Sequence, residues 1–117
     1  MVFLFVSRGV LRLATPLEER YIIIGRNLKF ERTRRKLTQV DLAAMMNSNE
    51  RVVRGHEKGK AMKMETLFAY ANALECSCED LFNKRKGSDA QIQKAFEEAE
   101  KLPKEQRDFF LNLLDIA

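Results

Sequence analysis

"LTQVDLAAMMNSNERVVRGHEKGK", residues 37–60, holds two short helical patterns with only "NSN" between them. Helices joined that tightly cannot lie side by side and must cross at a steep angle. Thr38 is placed to cap the first pattern, with Asp41 near its positive pole and Leu42, Ala43 and Met46 as its apolar stripe. Asn47 is one of the few non-glycine residue types that accept the left-handed backbone of a sharp helix stop. Asn49 caps the second pattern, and Glu50 falls in its first turn. On a helical wheel Val52, Val53 and His56 share one side of that second helix, while Arg51, Arg54, Gly55 and Lys58 share the other.

A basic face that includes a glycine can press its backbone against a polyanion, but on a lone helix the same pattern is as often plain wet surface. The elbow tips the balance. A buried helix, a tight turn and a helix with basic residues forward is helix-turn-helix geometry, whose second helix enters the DNA major groove.

Upstream, "TPLEERYIIIGRNLKFERTRRK" begins with a start signal. Thr15 can cap, Pro16 suits the first helical position and Glu18 completes a capping box. Leu17, Tyr21, Ile24 and Leu28 recur at helical spacing, and Gly25 marks either a break or a close packing contact. Downstream, "MKMETLFAYANALE" gives a fourth helix with Met64, Leu67, Phe68, Ala71 and Leu74 as its stripe. Ser77 caps a short fifth one, "CEDLF". "NKRKGS" reads as a linker. Two amphipathic helices split at Pro103 close the chain.

The whole predicts an all-α protein of 117 residues: an N-terminal extension over 1–14, a five-helix unit over 15–82, a basic linker over 83–88 and a helical hairpin over 89–117 that serves as the dimerisation segment. The opening "VFLFV" and "VLRLA" around "SRG" form either a β-hairpin or edge strand, or an extension without a role. That apolar run is too short to span a bilayer, and no basic stretch precedes it as in a signal peptide.

Charge is distributed unevenly. The net charge is +4, with 11 basic against 8 acidic residues over 21–82 but 4 against 7 over 89–117. The positive charge therefore sits with the elbow and linker, pointing to an anionic partner there. Cys76 and Cys78 are too close for an unstrained disulfide and too few for zinc, so they read as small, reduced core residues of a cytoplasmic protein. The chain has no Ser-His-Asp set, phosphate loop or metal cluster, which argues against an enzyme and implies no cofactor. Its phenylalanines fall on apolar stripes rather than on a stacking platform for RNA.

From Ile24 to Phe82 the sequence resembles the Cro/CI family of helix-turn-helix regulators, with their phage-repressor-like fold of five helices. "LTQVDLAAMM" is similar to that family's L-[ST]-Q-x-x-L-A, "EKGK" to its turn after the recognition helix, and "METLFAYANALECSCEDLF" to its closing pattern. The resemblance implies that Glu50, Arg51, Arg54 and Gly55 stand where members read base edges. It implies that Thr38, Gln39, Lys58 and Lys60 meet the DNA backbone, and that Arg32 and Glu57 form a structural ion pair. Asn47 replaces the usual turn glycine, and the loop "GKAMKMETL" is a residue short and lacks the common proline. His56 takes a position that is usually apolar. It is either a core histidine with one nitrogen satisfied by backbone or a pH-sensitive wedge under the recognition helix.

The function these features imply is a DNA-binding transcriptional repressor acting as a homodimer on a palindromic operator. Phe109, Phe110, Leu113, Leu114, Ile116 and Ala117 cover one side of the last helix, an apolar patch too large to leave wet in a monomer, and would hold the dimer. Ile92, Ala95, Phe96, Ala99 and Leu102 form a matching stripe before it. The alternative implied by the same resemblance is an antitoxin or bridging module whose main partner is a toxin or another protein. No membrane partner is expected.

Overall fold

The computed structural model describes residues 4–7 and 10–114, with side chains over residues 12–109. Helix α1 (Pro16–Arg34) starts as its sequence predicts: the Glu18 amide donates to Thr15 Oγ1 at 3.2 Å, and Glu18 Oε1 accepts from the Thr15 amide at 2.9 Å. Its core stripe runs through Ile23, Ile24 and Leu28, with Tyr21 partly buried beside them. Leu17 is 61% exposed, contrary to the expected stripe, because the core begins one turn further along the helix.

Helix α2 (Gln39–Met45) carries a second capping box, from Thr38 and Asp41, and buries Leu42 and Ala43. Helix α3 (Glu50–Glu57) starts where Asn49 Oδ1 accepts from the Val52 amide at 3.1 Å. Helix α4 (Met64–Ala73) buries Leu67, Tyr70 and Ala71, and Leu74 follows at its end. Met64 and Phe68, expected on that stripe, are 59% and 55% exposed; the buried edge of the helix is rotated toward Tyr70 instead. Helix α5 (Cys78–Phe82), capped by Ser77 and Asp80, brings Leu81 into the core.

Four of these helices stop in one way. Lys36 (φ 57°), Asn47 (φ 55°), Gly59 (φ 100°) and Glu75 (φ 53°) take the left-handed backbone. The next residue's amide then bonds a carbonyl five residues back: Leu37 to Arg32, Ser48 to Ala43, Lys60 to Gly55 and Cys76 to Ala71. A lysine or glutamate there costs about 1–2 kcal/mol, offset by two hydrogen bonds to carbonyls that the helix end would leave unpaired.

Helices α6 (Gly87–Ala99) and α7 (Lys104–Leu114) form the expected hairpin about Pro103. However, α6 docks on its own domain. Its Phe96 ring meets Phe30 of α1 with centroids 5.5 Å apart, Gln93 Nε2 donates to Asn27 Oδ1 at 2.9 Å, and Arg26 forks onto Glu97 at 2.8 and 2.9 Å. Asn27 in turn donates to the Leu81 and Asn83 carbonyls, so this buried amide is satisfied on both sides. Helix α1 therefore has two buried faces, one toward the five-helix core and one under α6.

The linker expected over 83–88 is also corrected. Gly87 and Ser88 belong to α6, and the Arg85 side chain is 6% exposed, stacked 4.9 Å from the Phe30 ring and paired with buried Glu31. Cys76 and Cys78 are free and half-buried against the core, and burial pushes the Cys76 thiol up to about 11.

At the N-terminus a β-hairpin forms, with β1 (Leu4–Ser7) antiparallel to β2 (Val10–Leu13) and Leu4 opposite Leu13. Arg12 anchors it by two 2.8 Å hydrogen bonds to Glu18. That contact, with the capping bond from Thr15, holds the Glu18 carboxyl down at about 2.

Candidate nucleic-acid interface

One edge of α3 is a fixed foundation. Val53 is fully buried in the core, while His56 and Glu57 are buried against neighbouring helices. Glu57 Oε2 accepts from Arg32 Nε at 2.6 Å, and Oε1 accepts from Arg32 Nη2 and Gln39 Nε2, both at 3.0 Å. Arg32 also donates to the Leu37 carbonyl at 2.8 Å. With side chains 11% and 3% exposed, this pair is withdrawn from water and screened little by salt. It joins α1, the α1–α2 turn, α2 and the last turn of α3 at one point.

Gly25 adds a second joint. A Cβ there would lie 2.5 Å from the His56 carbonyl oxygen and 2.7 Å from that of Glu57, so only glycine lets α1 and α3 cross this closely. The close contact, not the helix break, is its role.

The third joint is His56 Nδ1, 2.6 Å from the Tyr70 hydroxyl, with the rings edge to face. The partner is a side chain on α4 rather than the backbone group expected. Burial, with Lys60 nearby, lowers the imidazole pKa, and burial raises the Tyr70 hydroxyl to about 12.

The opposite edge of α3 is open. Glu50, Arg51, Arg54 and Lys58 are exposed, and Glu50 pairs with Arg54 at 3.1 Å along the helix. Gly55 is half-buried; a Cβ there would meet the flexible Lys60 side chain at 3.4 Å, so packing alone does not demand glycine. Gly59 is demanded, by its φ of 100° and by Ile22 at 3.0 Å.

Thr38 and Gln39 sit beside this edge with work already assigned. The Thr38 oxygen accepts from the Asp41 amide, leaving its hydroxyl proton to donate. The Gln39 amide uses one donor on Glu57 and keeps a second. Lys60 is exposed where the turn leaves α3.

Phe109 is 66% exposed on α7, while the side chains of Phe110, Leu113 and Leu114, with all of Ile116 and Ala117, lie outside the described residues. The structural roles of Gln39, Tyr70 and Arg85 were missed from sequence. Tyr70 alone left a trace, three residues after Leu67.

Residues 28–81, from mid-α1 to the end of α5, match a family model described as Helix-turn-helix. The segment, just under half of the chain, is similar to Cro/CI-type helix-turn-helix domains. No similar curated protein and no similar solved structure was found. In this helix-turn-helix domain α2 is the supporting helix and α3 the recognition helix, and the family is one of DNA-binding regulators. The hairpin, α6 and α7 lie outside the matched segment. Among the described residues no helix is long and apolar enough to cross a membrane, and no cluster of side chains is suited to hold a metal ion.

Proposed function

We propose that this protein is a cytoplasmic, sequence-specific repressor that binds a palindromic duplex operator as a homodimer. The carrying observation is the open edge of α3, with three cations on a helix whose other edge is fixed by Val53, Glu57 and the Gly25 crossing. Arg51 and Arg54 are long enough to reach guanine O6 and N7, and Glu50 accepts from a cytosine amino group. Gly55 lets the backbone approach the groove. Thr38, Gln39, Lys58 and Lys60 meet phosphates on either side and set the register.

Dimerisation falls to α7, through Phe109 and its neighbours Phe110, Leu113 and Leu114, rather than to all of residues 89–117, because α6 is engaged on α1. A two-fold pair would set two recognition helices one DNA turn apart, about 34 Å. Selection of bound duplexes from a random pool should recover one two-fold symmetric motif. Enrichment of no sequence would overturn the reading.

A protein partner, such as a toxin, is the second reading. It is favoured by the exposure of Phe109 beyond the helix-turn-helix segment. A purified chain of monomer mass would favour it over the homodimer.

A further inference from the structure

An open cleft of about 730 Å³ lies between the helix-turn-helix unit and the C-terminal hairpin. One wall is the end of α1 and the start of α2, and it includes Thr38, Gln39 and, from α3, Glu50. The other wall is the end of α6 and the first two turns of α7, with Arg107 and Asp108. The cleft therefore opens on the surface where the DNA backbone is proposed to run.

Its charges favour an anion. Lys29, Arg32, Arg34, Lys36 and Arg107 line it, against Glu50, Glu100 and Asp108. Two of those acids are already paired, Glu50 with Arg54 and Glu100 with Lys29, and Arg32 is held by Glu57. Arg107 reaches its sequence neighbour Asp108 at 4.0 Å, the outer limit of an ion pair, so its guanidinium can turn to a better acceptor. A small ligand is the weaker occupant. Small-molecule sites are mostly apolar and enclose most of their ligand, whereas here the cleft is open and, among the described residues, its apolar lining comes from Leu37, Val40 and Phe96. A strand needs no enclosure.

We infer that this cleft is a second track for the DNA backbone, in which Arg107 of α7 binds a phosphate from the side opposite Thr38 and Gln39. The inference rests on the DNA-binding reading above and extends the footprint beyond the helix-turn-helix segment to α7. The C-terminal hairpin then acts on DNA directly as well as through dimerisation.

The test is duplex binding by the full-length chain over a series of salt concentrations, with the selected site and a random duplex. Losing one phosphate contact lowers the salt slope by about 0.9, which at ~0.15 M salt is roughly a fivefold loss of affinity. Arg107→Ala should show that loss equally on both duplexes, at unchanged solution mass, and Arg107→Lys should restore most of it. Asp108→Asn, which removes a repelling charge, should bind more tightly than the parent. An unchanged slope in Arg107→Ala, a loss confined to the selected site, or a loss accompanied by a change in mass would each overturn the inference. If Arg51→Ala relaxes base preference while Arg107→Ala keeps the parental slope, only this inference fails. If the parent chain binds no duplex, the DNA-binding reading fails with it.

Discussion

Gly25 of α1 and His56 of α3 pass so closely that a methyl group on Gly25 would stand 2.5 Å from the His56 carbonyl oxygen. Glycine inside an exposed helix usually costs about 1 kcal/mol relative to alanine. Here the sign reverses, because the obstruction is backbone and cannot rotate away. Gly25→Ala should therefore destabilise, by about 1–3 kcal/mol as for other overpacked sites. It should also tilt the recognition helix and weaken DNA binding beyond what the lost stability explains. Urea unfolding gives the first quantity; a midpoint equal to or above the parent's would show that the crossing is looser than described.

Glu57 receives three hydrogen bonds from Arg32 and Gln39 in a nearly dry site. Glu57→Gln keeps the shape but strands the Arg32 guanidinium, which for a buried pair costs about 3–5 kcal/mol. Gln39→Ala removes one neutral donor and should cost nearer 1 kcal/mol, as for an ordinary hydrogen bond. A loss below ~1 kcal/mol in Glu57→Gln would place the pair among exposed ion pairs of little worth.

Base readout and backbone binding separate in their salt dependence. Arg51→Ala should cost about 1–3 kcal/mol on the preferred site and relax one base pair, with little change of slope. Lys60→Ala should weaken all sequences alike and lower the slope by about one unit. If Arg51→Ala bound its best site as tightly as the parent, Arg51 would not be a base reader.

Much of the helix-turn-helix unit was legible because its signals are local. The capping boxes at Thr15 and Thr38 and the turn residue Asn47 each declare themselves within four residues. The second face of α1 was not legible. Asn27, Phe30 and Glu31 look like a polar edge with one stray aromatic until Gln93, Phe96 and Arg85 arrive from more than fifty residues away. Arg85 sat among residues whose composition reads as linker, and only its stacking on Phe30 gives it a structural role. Lys36 and Glu75 carry no turn signature either, because paired backbone hydrogen bonds impose their left-handed conformation.

Acid should loosen the recognition helix through His56. Its folded pKa lies below the ordinary 6.5, because burial and then the Lys60 charge disfavour the imidazolium. Tyr70, at about 12, stays protonated and shares a hydrogen bond with the neutral ring, while Glu57 on the same turn is held by Arg32 and Gln39. Below 6.5 the unfolded chain binds the proton first, so stability is complete above that pH and declines as pH falls through it. Urea midpoints should drop between about pH 7 and pH 5, and His56→Asn should flatten that drop. A parental midpoint constant over the interval would remove His56 as a sensor. Glu18, held at about 2 in the fold, acts in a lower window. The anchoring of the hairpin it shares with Arg12 is complete above the ordinary 4.5 and is lost as pH falls from there toward 2.

The docking of α6 changes how the proposed dimer must be tested. A chain ending at Phe82 would lose Arg85, Gln93 and Phe96 together, exposing Phe30, leaving the Asn27 side-chain oxygen without its Gln93 donor and Glu31 with Arg35 alone. Burying an aromatic such as Phe96 is worth about 3–5 kcal/mol against alanine, so that truncation would confuse unfolding with dissociation. Phe109→Glu in the full-length chain avoids the confusion, because Phe109 is 66% exposed and takes no part in the docking of α6 on α1. A carboxylate at a two-fold apolar contact meets its own copy and loses water, so pairing through α7 should fail while the fold persists. Sedimentation should then show the mass halved, and binding should weaken sharply on the palindrome but little on a single half-site. If the Phe109→Glu chain kept a dimer's mass, α7 would not be the interface.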